Sequence, residues 1–416
     1  MMSFAPRKIA FLVFPIAALF ALNSLLWIQP QNSPSDEGEE QESQHPGYYE
    51  QWFQEKKDAN GEIPPFLRSL WARYDAQKID RRGNNNPIDT VIELGPNNVA
   101  GRTRSLWIDP RNEKIILAGA ISGGLWRSEN GGISWKPVNE QEISMMPSAI
   151  TSNPFNPNEV YYGTGESRAN SADVDGDGVF KSYDGGKTFK QLSSTVNLNG
   201  FNAIWDIEHS KIDSQTFFVG TNSVGLYRST DGGATWSVSY NGGNKQVTDV
   251  LCLPSGRVMA TMQSNLIVAS DSNGKPGTFK TVVFPNAPNA GTYRTVQLDY
   301  CHKYPKVVFA VFEGFAFDAA PVAFYKSSDG GITWKAKTPP TAAGPGYQAY
   351  CMVMGAHPTD SNRVVVGGRD ICRTSNGGTS WTPLDIGHSD HHSFAFFPKT
   401  TNEFLDRKST RLNSSH

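Results

Sequence analysis

Ser229-Thr-Asp-Gly-Gly-Ala-Thr-Trp236 is a turn spelled out in residue types. Two successive glycines accept the positive φ of a tight hairpin turn. The Ser and Asp side chains can bond turn amides that a strand ladder leaves unpaired. The closing Trp supplies a large apolar face. One such turn predicts a hairpin, but this one recurs. It stands again at Ser128-Glu-Asn-Gly-Gly-Ile-Ser-Trp135 and Ser182-Tyr-Asp-Gly-Gly-Lys-Thr-Phe189. Two further copies are Ser327-Ser-Asp-Gly-Gly-Ile-Thr-Trp334 and Thr374-Ser-Asn-Gly-Gly-Thr-Ser-Trp381. A degenerate copy, two residues longer, covers Ser270 to Phe279. Steps of 54, 47, 41, 57 and 47 residues leave room for four short strands per repeat. In this reading the side chains of Ser182, Asp184, Ser229, Asp231, Ser327 and Asp329 build the turns, and Trp135, Phe189, Trp236, Trp334 and Trp381 close them.

The flanking sequence repeats as well. An apolar strand ends near Asp-Pro or Asn-Pro, as in Ser105-Leu-Trp-Ile-Asp-Pro110 or Ser148 to Pro154. A second strand follows at Ile115 to Ala118, Val160 to Gly163, Phe217 to Gly220 and Val364 to Gly367. A third, Gly-Leu-Trp-Arg-Ser or Gly-Leu-Tyr-Arg-Ser, leads into the turn, which is thus the hairpin between strands three and four. Glycine (39 residues) and aromatics (11 %) suit tight turns and filled layers between sheets, so the expectation is an all-β propeller of four-stranded blades.

The turns resemble those of the Asp-box (BNR-repeat) propellers, a group with sialidases, xyloglucan-cleaving endoglucanases and sortilin-type receptors. The resemblance covers about three quarters of the chain. It speaks for fold more than function, because the box lies on the outer rim. Within the group, Gly95-Pro-Asn-Asn-Val-Ala-Gly-Arg-Thr-Arg104, Ser122-Gly-Gly-Leu-Trp-Arg-Ser128 and Gly165-Glu166 look like sortilin-like exported repeat proteins of Bacteroidetes.

Six blades are readable over residues 89–405, and a seventh opens at His391-His-Ser-Phe-Ala-Phe-Phe-Pro398 and Asn402-Glu-Phe404. Residues 406–416 (Asp-Arg-Lys-Ser-Thr-Arg-Leu-Asn-Ser-Ser-His) read as a translated sequencing adapter, a non-native tail that cuts the seventh blade short. The natural chain is expected to be longer. Without the missing part an open edge is left, with Thr90 to Leu94 as a candidate clasping strand.

Arg7 and Lys8 precede an apolar run from Ile9 to Ile28, so residues 1–28 are a cleaved export signal or a retained signal-anchor. The protein is expected in the periplasm, on the outer cell surface or secreted, and any membrane contact would run through residues 9–28. An acidic linker (29–46) and a short helical segment with a hinge (47–88) follow. Cys252, Cys301, Cys351 and Cys372 each sit in an apolar run, which predicts buried free thiols rather than disulfides. A net charge of −2 gives no field that favours nucleic acid.

The loop into strand one and the loop between strands two and three share the channel-mouth face, where the candidate site residues fall. Arg102, Arg104, Glu166, Trp205, Asp249, Arg294 and Glu313 could bind an anionic or sugar ligand through forked donors and an aromatic platform, or could form salt bridges between blades. His388, Asp390 and His392 alternate on one strand and could hold a divalent transition metal, or form a polar cluster. Asp173, Asp175 and Asp177 with Gly178 match the first half of a calcium loop, but its twelfth place, Asp184, is claimed by a box.

Enzyme readings fit less well. The Arg-Ile-Pro of sialidases is absent, and the catalytic Asp that the endoglucanase resemblance needs near Ser122-Gly-Gly is missing. Glu166 with Asp390 remains a carboxylate pair that could serve glycoside hydrolysis. The expectation is an exported propeller that binds a protein, peptide or glycan at the channel mouth, with a glycoside hydrolase as the alternative.

Overall fold

A computed structural model describes residues 101–120, 123–138, 146–166, 175–243, 245–263, 267–289, 291–347, 350–384, 390–399 and 404–410. The signal segment, acidic linker, helical segment and Thr90–Leu94 lie outside the described residues, as does the tail beyond Thr410.

Six four-stranded antiparallel blades follow one another along the chain. Their innermost strands are Gly101–Ile108, Pro147–Asn153, Ile204–His209, Val247–Cys252, Tyr293–Tyr300 and Val353–Ala356. Each packs against the next around a central channel. A two-stranded hairpin, His391–Phe396 with Phe404–Thr410, takes the seventh position. Its second strand bonds to blade one at Gly101↔Thr410 and Arg102↔Ser409, and its first packs on the inner strands of blades six and one. That second strand crosses position 406, where the sequence changes character.

Burial explains the strand patterns. Second strands such as Phe217–Thr221 and Val308–Gly314 are buried at every residue. They are covered by a neighbouring blade on each face, so they read as continuous apolar runs rather than alternations. Fourth strands lie at the rim. Lys136–Val138, Lys190–Gln191, Lys280–Thr281 and Lys335–Lys337 all start with an exposed lysine, which discourages edge-to-edge pairing.

The core is a series of apolar layers between blades. Phe309 and Phe324 of blade five pack on Met354, Val366 and Cys372 of blade six. Tyr161 of blade two meets Phe217 of blade three at 4.6 Å between ring centroids. Each fully buried large side chain contributes about 1.5–3 kcal/mol. The four cysteines are free and buried, as the apolar runs predicted. Burial pushes the Cys372 thiol up to about 12, which keeps it an inert hydrophobe.

The boxes turn as their residues predict. In the third, Ser229 Oγ donates to Asp231 Oδ1 (2.8 Å) and accepts from Gly233 N (2.8 Å). Asp231 then accepts from Thr235 N and Oγ1 (2.9 and 2.5 Å). Where Asn130 and Asn376 replace Asp, Ser replaces Thr and the bond reverses. The amide Nδ2 donates to Ser134 or Ser380 Oγ at 2.8 Å. Trp381 packs between blades, edge-on to Phe324 of blade five, and donates to Thr338 O at 2.8 Å.

Candidate functional site

The channel mouth opens where inner strands begin and second strands end. Arg104, on the inner strand of blade one, is 4 % exposed and forms an ion pair with the 4 % exposed Glu166 at the end of blade two's second strand. Its Nε donates to Glu166 Oε1 at 2.7 Å, and its Nη1 reaches Tyr350 O and lies 2.8 Å from His392 Nδ1. The guanidinium also lies 4.6 Å from the centroid of the Tyr350 ring. Arg104 therefore joins blades one, two and six to the hairpin. Of the two readings of Arg104 and Glu166, ligand recognition or salt bridging between blades, the geometry is that of the salt bridge, in which they neutralise each other inside the wall. Glu166 as a catalytic carboxylate is disfavoured for the same reason.

Trp205 is buried at 4 % exposure within blade three's inner strand, so it is no open aromatic platform. Glu313 is fully buried and accepts from Thr295 Oγ1 at 2.7 Å. Asp249 lies down the channel rather than at its rim. Its Oδ2 accepts from Leu298 N of the next blade at 2.5 Å. Arg294, at the start of blade five's inner strand, keeps its place at the mouth. Its guanidinium sits 5.9 Å from the centroid of the Phe315 ring. The side chain of Arg102 lies outside the described residues.

His388 and Asp173 lie outside the described residues, so neither metal set can be assembled. His392 turns its Nδ1 to Arg104 and to Tyr350 O (3.1 Å). Asp390 has a φ of 70° and its N donates to Arg369 O at 2.9 Å. Asp175 and Asp177 are exposed, and Asp175 accepts from Asn202 Nδ2 at 2.7 Å. Asp184 is held by its own box. Burial alone would raise its carboxyl, but bonds from Thr188, Ser182 and Lys187 N hold it at about 2. Among the described residues no group of three or more His, Cys, Asp or Glu is placed to hold a metal ion.

Two features escaped the sequence reading. The first is a patch beside Arg294. The loop between strands two and three of blade five, Phe315 to Val322, exposes Phe315 (43 %), Phe317 (57 %) and Val322 (40 %). Phe317 meets Tyr347 at 5.0 Å between centroids. Tyr347 has a φ of 50°, a strained conformation for a bulky residue and one that tends to cluster at ligand sites. Next to it Arg369 pairs with Asp370 at 2.8 Å. The sequence signal was Gly314-Phe-Ala-Phe-Asp-Ala-Ala-Pro-Val322, two phenylalanines in a loop with no strand to bury them.

The second feature is a carboxyl ladder in the channel. Asp206 Oδ2 accepts from Val250 N at 2.8 Å, Asp249 accepts from Leu298 N, and Asp299 Oδ2 accepts from Ala356 N at 2.7 Å. Each carboxyl reaches the inner strand of the next blade. Burial, with Glu208 nearby, raises Asp206 to about 6, and burial raises Asp299 to about 7. Burial and the neighbouring Asp206 push Asp249 well up. An Asp inside an apolar inner strand, as in Trp205-Asp-Ile207, was the available signal.

Blades, channel and turns define an all-β propeller. Residues 227–238 match the model of the BNR/Asp-box repeat, in the third of the turns described above. No curated protein matches the sequence. Among solved structures the chain is similar to "YCF48 bound to D1 peptide", at 14 % identity and a TM-score of 0.50 over 75 % of this chain and 94 % of that one. It is also similar to YCF48 from Cyanidioschyzon merolae, at 12 % identity and a TM-score of 0.51, covering 74 % and 93 % of the two chains. A third similar structure is the extracellular domain of the hybrid two component system BT4673 from B. thetaiotaomicron, at 12 % identity and a TM-score of 0.51. There the match covers 74 % of this chain and 37 % of that one. Among the described residues no helix is long and apolar enough to cross a membrane.

Proposed function

We propose that this protein is an exported binding propeller that takes a peptide at its channel-mouth face. The observation that carries the reading is the pair of exposed rings Phe315 and Phe317 at the mouth, with half-buried Tyr347 against Phe317 and guanidinium groups at the edge. Exposed aromatics grouped in one place are uncommon on a monomer surface and mark interaction sites. Aromatic and Arg side chains also dominate binding energy at protein interfaces. The peptide-bound YCF48 structure supports the reading in that a propeller of this fold accommodates a peptide. The extracellular BT4673 domain supports export in the same limited sense.

The hydrolase alternative is less well supported. Glu166 is spent on Arg104, and Asp206 and Asp249 hydrogen-bond each other. A bonded carboxyl pair is closer than the roughly 5 Å or more that glycoside hydrolysis needs between its two carboxylates. The test is to present the full chain to a peptide array and a glycan array side by side. Retention on peptides, lost in Phe317→Ala, is the expected result. Binding or turnover of glycans with no peptide retained overturns the proposal.

A further inference from the structure

We infer that the ligand carries a single carboxylate next to an apolar side chain, with Arg294 as the residue that reads the carboxylate; this rests on the peptide reading above. Of the arginines whose side chains are described, most are answered by a carboxylate. Arg104 has Glu166, Arg111 has Asp109, Arg127 has Glu129, Arg257 has Asp271, Arg363 has Asp360 and Arg369 has Asp370. Arg294 makes neither an ion pair nor a hydrogen bond among the described residues. Its Nε is buried and has no acceptor. A guanidinium is a rigid fork of donors suited to a carboxylate, and a shielded N–H without an acceptor is costly to leave unmade.

The surroundings define the rest of the ligand. Arg294 lies against Phe315, and the loop continues through Ala316, Phe317, Asp318, Ala319, Ala320, Pro321 and Val322. This surface offers apolar area and few side-chain hydrogen-bonding groups. A sugar, which needs its hydroxyls satisfied, fits it worse than an aliphatic or aromatic peptide side chain. Asp318 is exposed and Asp370 is taken by Arg369. Asp318 would repel a second acid, so the ligand surface reads one carboxylate and not an acidic tract. The carboxylate could belong to Asp, Glu or the peptide C-terminus.

The experiment uses the full chain and an array of twelve-residue peptides, each made with a free and an amidated C-terminus and with each Asp or Glu changed to Asn or Gln. A panel of neutral and acidic oligosaccharides runs in parallel. The expected result is that one carboxylate governs retention, with a loss of about tenfold or more on its neutralisation, as for a charge-assisted bond. Arg294→Gln gives the same loss and no additional loss on neutralised peptides. Arg294→Lys, which keeps charge without the fork, recovers part of it. Phe317→Ala weakens neutral and acidic peptides alike. Thermal melts confirm that the variants fold. Peptides retained without regard to a carboxylate, or unaffected by Arg294→Gln, overturn the inference and leave the peptide reading intact. Retention of oligosaccharides alone, or of nothing, overturns both.

Discussion

The carboxyl groups of Asp206 and Asp249 hydrogen-bond each other across neighbouring inner strands, while each accepts a main-chain N–H from the blade that follows. Two carboxylates this close cannot both ionise cheaply, so the pair retains a proton. Asp299 extends the same ladder to blade six. The ladder joins four successive blades from within the channel, where apolar layers give way to polar groups.

Stability should therefore peak in mild acid. Burial raises Asp206 to about 6 and Asp299 to about 7, above their ordinary value of 3.8, and pushes Asp249 well up. A raised carboxyl contributes stability that is full below the unfolded value and is lost as pH rises through the folded value. The box carboxyls act in the opposite sense. Turn hydrogen bonds outweigh burial and hold Asp184 and Asp329 at about 2. Their contribution is present above the unfolded value and lost as pH falls toward 2. The expected profile rises from pH 2 to 4, is highest between about 4 and 6, and declines toward 8. Melting temperatures across this range check it. A flat profile, or a maximum above pH 8, contradicts the ladder.

Neutralising the ladder separates charge from bonding. Asp249→Asn keeps an oxygen for Leu298 N and an amide N–H for Asp206, and it removes the need to hold a proton. It is expected to raise stability at pH 8 by about 1–2 kcal/mol and to flatten the decline above pH 6. Asp249→Ala leaves the Leu298 N–H without its acceptor and is expected to cost about 1–3 kcal/mol at pH 5. Urea unfolding at the two pH values distinguishes these outcomes.

The buried Arg104–Glu166 pair should behave as a unit. Removing one partner leaves a charge inside the wall, and Arg104→Gln or Glu166→Gln is expected to cost about 3–5 kcal/mol. The double variant should lose less than the two single losses added together, because neither charge is stranded. Since Arg104 also meets Tyr350 and His392, its loss should loosen the hairpin as well. Hydrogen exchange across His391–Phe396 reads that loosening, and additive losses would show that the pair is not coupled.

What was legible in the sequence was what is local. Ser229, Asp231, Gly233 and Thr235 act on one another within a single turn, so their spacing specifies the geometry. Continuous apolar second strands were legible because both faces are covered. The mouth was not, because its contacts join residues far apart in the chain. Arg104 meets Glu166 at a separation of 62 residues and His392 at 288. Chemistry alone does not tell a paired guanidinium from an unpaired one: Arg104 is answered by Glu166, whereas Arg294 makes no ion pair among the described residues. Trp205, a candidate platform for the mouth, lies instead on the covered side of its inner strand. The aromatics of the Phe315 to Val322 loop follow no strand or helix periodicity, so nothing in the sequence pattern marks them as a surface group.

The second glycine of each box should be more sensitive than the first. Both have positive φ, at 74° for Gly131 in the first box and 95° for Gly233 in the third. They differ in what lies beyond the missing Cβ. A Cβ at Gly131 would meet nothing within 4 Å, whereas one at Gly233 would come 2.5 Å from Leu192 Cδ1 and 3.2 Å from Phe217 Cζ. Gly131→Ala is thus expected to show the left-handed penalty alone, about 1–2 kcal/mol. Gly233→Ala adds overpacking of about 1–3 kcal/mol, because Leu192 and Phe217 belong to a filled interior layer. The same pairing of a turn residue with the core explains why the box carries two glycines in succession. The first meets a demand of the backbone, and the second also lets the turn lie flat on its neighbour. Chemical denaturation of the two variants measures the difference, and equal losses would show that the turn geometry alone requires the second glycine.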